Sequence, residues 1–174
     1  MKKVVTGAVM AFAVMNSDVA AQSCVGVNSC SVTANASVTV PALLSLSLGS
    51  GTIPLTAPTD LNLGSYVQDN GPTFTVKANR SWSLSVHTTA ASNWTYTGTN
   101  GGVKPIADLT WSNTAGGTYA AITNSAAAIV SGQARTNAGS PTIFFRTLYA
   151  AAYDDPRNAA GTFEIPLVFT VSAP

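Results

Sequence analysis

The chain has 174 residues, with eight Lys and Arg against seven Asp and Glu and a formal net charge of +1. Charged residues are 9% of it, against about 25% in ordinary soluble domains, and that balance leaves no electrostatic footprint for nucleic acid or anionic lipid. Polarity comes instead from 22 Thr and 18 Ser, a composition that puts little repulsion between copies and so favours association.

Lys2 and Lys3 form a basic start, Val4 to Met15 an uncharged apolar stretch, and Val19-Ala20-Ala21 the site a signal peptidase reads. This is the pattern of a secretory signal peptide over residues 1–21, too short and wrongly flanked for a membrane span. Cleavage after Ala21 gives a mature chain of 153 residues beginning at Gln22, with six basic and six acidic side chains. The expected location is secreted, either extracellular or at the cell surface. Cys24 and Cys30 are the only cysteines, and in an exported chain such an isolated pair is expected to form a disulfide. The alternative, lipid attachment to Cys24, is disfavoured because Ala21-Gln22-Ser23 lacks the residues a lipobox requires. No long apolar run follows residue 21, so no membrane span is expected.

Period-two alternation then recurs along most of the chain. Val32, Ala34, Ala36, Val38 and Val40 share one face, with Ser31, Thr33, Asn35, Ser37 and Thr39 on the other, until Pro41 ends the ladder because it has no N–H to donate. This predicts a strand over 31–40 and separates an N-terminal segment, 22–40, from a domain, 41–174. Further strands are predicted near 43–48, 73–79, 82–88, 93–98, 106–112, 118–123, 142–149 and 162–172. Residues 49–65 read as a long connection, and the alanines of 126–131 as a helical turn. Asn70-Gly71-Pro72, Asn100-Gly101-Gly102, Ala115-Gly116-Gly117 and Asp154-Asp155-Pro156 supply turn chemistry between them. The expected fold is all-β, a single antiparallel immunoglobulin-like β-sandwich of about nine strands.

Catalytic chemistry finds little footing. His87 is the only histidine and alternates outward from Trp82, Leu84 and Val86, a usual place for a surface residue. No nucleophile elbow, phosphate-binding glycine loop or zinc-ligand spacing is present, and Glu164 has no neighbouring acid. The chain is therefore read as a non-enzyme without metal or cofactor. Asp154, Asp155 and Asn158 supply oxygens suited to calcium but lack the spacing of a calcium loop, and a turn explains them better. Trp94, Tyr96, Trp111 and Tyr119 either fill the core or, on an open sheet face, stack on sugar rings. The sequons at Asn35, Asn79 and Asn93 matter only in a host that glycosylates secreted proteins.

Three stretches carry a family resemblance: Cys30-Ser31-Val32-Thr33-Ala34, the pair Phe74-Thr75-Val76-Lys77-Ala78 and Trp82-Ser83-Leu84-Ser85-Val86, and Ala160-Gly161-Thr162-Phe163 leading into Leu167-Val168-Phe169-Thr170-Val171. They resemble bacterial secreted immunoglobulin-like pilus subunits of the spore-coat-protein-U or archaic chaperone–usher kind. The chain departs from that pattern in lacking a central-strand cysteine and an arginine–methionine pair. The resemblance implies that one subunit's N-terminal segment completes its neighbour's sandwich, with residues 31–40 as the donor and Val32, Ala34, Ala36, Val38 and Val40 as its assembly face. The alternative pairs that strand within its own domain. The function so implied is a structural subunit of an extracellular filament, self-associating into a homopolymer. The reading from another class is a soluble carbohydrate-binding or adhesive module whose partner is a glycan or host surface.

Overall fold

The computed structural model describes residues 29, 31, 35–55, 57 and 66–174, with the backbone alone for 66–70. The segment 1–21, Cys24, Cys30, Val32 and Ala34 lie outside the described residues. The chain divides into two compact units, Met1–Val40 and Pro41–Pro174.

In the first unit, residues 35–40 are exposed and not in a strand, Val38 at 87% and Val40 at 67%. The strand predicted over 31–40 is therefore corrected for those residues. Alternation fixes a strand only where one face is buried and the backbone has a ladder to join.

The second unit is all-β and antiparallel. Among the described residues it has twelve strands: β1 Leu44–Leu48, β2 Tyr66–Asn70, β3 Phe74–Ala78, β4 Trp82–Thr88, β5 Thr95–Thr97, β6 Leu109–Ser112, β7 Ala120–Ala121, β8 Ala127–Gln133, β9 Thr136–Gly139, β10 Phe144–Leu148, β11 Thr162–Glu164 and β12 Leu167–Ser172. Its spine is a long ribbon in which residues 66–88 run antiparallel to 127–148. The register passes from Tyr66↔Leu148 through Val76↔Gly139 to Val86↔Ala127 with small shifts at bulges. β1 flanks β3, β12 flanks β4, and β6 flanks β10 with β7 beyond it. The β5–β11 pair stands apart.

The ribbon bends at 79–81, where the Asn79 side chain takes the place of a strand partner. Its Oδ1 accepts from the Leu43 N–H at 2.9 Å and its Nδ2 donates to the Pro41 carbonyl at 2.7 Å. Arg80 donates to an oxygen of Pro174 at the same bend. The bend turns the apolar face of β3 toward β4 and β12, so that the Phe74 and Phe169 rings meet edge-on with centroids 4.9 Å apart. Phe74, Val76, Trp82, Leu84, Val86, Leu109, Trp111, Ile129 and Phe145 join in one buried cluster, giving a sandwich-like core. Trp82 anchors it: its indole N–H donates to the Ala134 carbonyl at 2.9 Å. A Cβ on Gly139 would lie 2.9 Å from the Trp82 ring, so the missing side chain is what admits the indole.

Several expectations are corrected. Residues 127–133 form β8 rather than a helical turn, because pairing with β4 and burial of Ile129 override the helix preference of alanine. Residues 66–70, between the 49–65 connection and the strand predicted near 73–79, form β2. Asn70-Gly71-Pro72 is not a hairpin: the chain runs on into β3, with the Gly71 N–H donating to the Ile143 carbonyl at 3.0 Å. The last predicted strand splits at Pro166, which cannot donate to a ladder, so β11 joins β5 while β12 joins β4. Gly101 and Gly116 do adopt positive φ, +66° and +69°, at their predicted turns.

Candidate functional site

β1 and β12 are both edge strands among the described residues, and the bend brings them to the same side of the fold, where they touch. Each carries an alternating apolar row, Leu44, Leu46 and Leu48 on one and Leu167, Phe169 and Val171 on the other. Inner positions of β3 and β4 are closed off, with Val76, Leu84 and Val86 wholly buried, yet Leu44 and Leu48 remain 37% and 41% exposed. A cleft of about 770 Å³ opens beyond the end of β1, lined by Leu48, by residues 51–55 and 157–166 and by Leu167 and Phe169 of β12, with Leu109, Phe145 and Thr147 among its lining. The Thr147 Oγ1 is buried and without a hydrogen-bond partner among the described residues, an unusual state for a hydroxyl. An edge strand beside buried apolar residues is a place where an extended segment can gain main-chain hydrogen bonds and bury alternate side chains together.

Lys104, which lines the cleft, belongs to a buried charge pair that sequence reasoning missed. Lys104 is 2% exposed and Asp108 4%, with Nζ 3.6 Å from Oδ2. Nζ also donates to the Leu148 carbonyl and sits 4.5 Å from the Tyr149 ring centroid and 6.0 Å from those of Trp94 and Phe163. Burial holds the Lys104 pKa below its ordinary value and the Asp108 pKa above its own, each against the opposing pull of its partner. The signal available in the sequence was a lone lysine between Val103 and Pro105-Ile106, an odd place for charge in so weakly charged a chain.

No family model, curated protein or solved structure matches this chain.

Among the described residues, the remaining candidates do not converge on a second site. His87 lies on the outward face of β4 as expected, half-buried, with Nδ1 unpartnered among the described residues. Glu164 is exposed at the end of β11. The aromatics do not form an open platform. Trp94 and Trp111 are buried, Tyr96 packs on Phe163 at 4.9 Å, and Tyr119 is half-buried with the Arg146 guanidinium 3.8 Å from its ring centroid. Of the expected assembly strand, residues 31 and 35–40 are described, and Ala36, Val38 and Val40 are exposed.

Asp155 and Asn158 serve a turn. Asp155 caps the 3-10 turn Pro156–Asn158, accepting from the Arg157 N–H at 2.8 Å and from its guanidinium at 2.9 and 3.0 Å. Asn158 ties back to the Ala150 N–H and carbonyl and to the Ala152 carbonyl. The Arg157 hydrogen bonds hold the Asp155 carboxyl at about 2, below the ordinary 3.8. A depressed carboxylate contributes stability above its unfolded value and loses it as pH falls through the folded one. The corner is therefore expected to stay intact at pH 3 and to loosen near pH 2. Carboxyl ¹³C shifts followed through an acid titration measure this directly, and Arg157→Gln should return the midpoint toward 3.8.

Proposed function

We propose that this chain is a secreted structural subunit of an extracellular filament or pilus, an immunoglobulin-like sandwich in which residues 31–40 of one copy fill the cleft between β1 and β12 of the next. The observation that carries the reading is that cleft, which opens between the end of β1 at Leu48 and the β12 residues Leu167 and Phe169, both strands being sheet edges among the described residues, with the buried Leu109 and Phe145 beneath. The donor supplies what the cleft lacks. Its ten residues span roughly 33 Å when extended, and the described part of its apolar face, Ala36, Val38 and Val40, is solvent-exposed. Burial of each valine contributes about 1.5–3 kcal/mol as an upper estimate. Near-zero net charge on the mature chain removes a barrier to stacking copies.

Electron microscopy of the purified, concentrated mature protein tests the proposal, with filaments whose repeat matches one domain as the expected result. Ala36→Asp should abolish them by bringing a carboxylate into an apolar cleft, whereas Ser37→Asp, on the opposite face, should leave them largely intact. Discrete particles at high concentration, or filaments indifferent to Ala36→Asp, would overturn it. Particles that bind polysaccharide would favour the carbohydrate-binding module instead.

A further inference from the structure

The cleft is not empty of the chain's own residues. Leaving β1, the chain turns through Gly49 and Ser50, with the Gly49 N–H donating to the Thr73 carbonyl at 2.9 Å and the Ser50 Oγ donating to the Thr52 carbonyl at 2.8 Å. Residues 51–55 then line the cleft. Thr52 and Pro54 point to solvent, while Ile53 and Leu55 are half-buried and packed against the core. This is a strand's alternation without a strand's ladder, since none of residues 52–55 is in a strand. Pro54 has no N–H, so the segment lacks one of the donors a full ladder would use.

We infer that residues 52–55 are a removable strap, which shields the cleft of the free subunit and is displaced when another strand enters. This regulation of the cleft rests on the strand-donation reading. Ile53 and Leu55 offer the cleft apolar contact at two positions. An incoming alternating segment offers such contact at more positions and adds main-chain hydrogen bonds along β1 or β12, so it outcompetes the strap. In the meantime the strap lowers the apolar area a free subunit shows to water, which limits indiscriminate association through that face. The exchange is therefore slow until a matched segment arrives.

The test uses the full mature chain, dilute enough to remain monomeric. Ile53→Ser with Leu55→Ser should raise the fluorescence of anilinonaphthalene sulfonate several-fold, and should speed binding of a synthetic 31–40 peptide on the order of tenfold, as expected when two partly buried side chains no longer compete. If the double variant misfolds, Ile53→Ala alone should show the same direction. An independent arm places a nitroxide on Pro54→Cys, with Cys24 and Cys30 oxidised. Its spectrum should sharpen as saturating peptide frees the strap. Unchanged dye fluorescence overturns the inference, as does equal peptide binding by variant and wild type or an immobile nitroxide with peptide bound. Raised dye fluorescence with no peptide binding by either chain keeps the strap as a cover and defeats strand donation instead.

Discussion

Removing residues 22–40 from the mature chain is expected to abolish filament formation, leaving a monomer that begins at Pro41. The chain divides at Val40 and Pro41, and among the described residues the buried cluster lies beyond that point. The truncated protein should accept the 31–40 peptide and gain stability with its concentration. A saturating ligand at a hundred times its Kd stabilises by about 2.7 kcal/mol, which raises the Tm of a domain this size by roughly 6–11 °C. Sedimentation velocity and thermal melts with and without peptide read both effects. Filaments formed by the truncated chain would rule out residues 31–40 as the joint, whatever the cleft binds.

A second large effect should follow from Asp108→Ala. The Asp108 carboxylate lies beside an ammonium that is almost completely withdrawn from water. Removing the acid leaves Lys104 buried with a carbonyl and aromatic rings as its remaining company, and breaking such a pair typically costs about 3–5 kcal/mol. Replacing both partners with apolar residues of similar volume, Lys104→Met with Asp108→Leu, should recover most of that loss, because burial already works against both charges. Urea unfolding of the single and double variants makes the comparison. A single variant as stable as the wild type would mean that the pair is far better solvated than its exposure implies.

Much of the architecture was legible because burial on one face writes itself into the sequence at period two. Phe74, Val76 and Ala78, then Trp82, Leu84 and Val86, alternate in the sequence and are buried in the structure. The errors have physical sources. An alternating run predicts a face and not a partner, which is why 35–40 reads as a strand and yet is not in one. Local preference misleads where a neighbouring strand decides, as it does for the alanines of β8. Loops hide short apolar alternations: Ile53 and Leu55 lie in a stretch rich in Gly, Thr and Pro that reads as a connection. The cleft itself was beyond reach, since it depends on the bend at 79–81 bringing β1 and β12 to one side. Lys104 and Asp108 were visible as letters, but their withdrawal from water is a property of the tertiary fold.

Asn79 also has a mechanical consequence. The hydrogen bonds of an antiparallel ladder lie across the strands, so a pull applied at Pro41 along the axis of β1 acts in shear on all five of its residue pairs with β3. Peeling from the end would break them in succession, and the Asn79 amide resists that mode by gripping Pro41 and Leu43 ahead of the first pair. Force thus passes from the edge strand β1 into β3, whose inner face is buried, instead of peeling a frayed end. Forced unfolding is governed by the rate of crossing the unfolding barrier, and Asn79→Ala is positioned to lower the rupture force more than it lowers equilibrium stability.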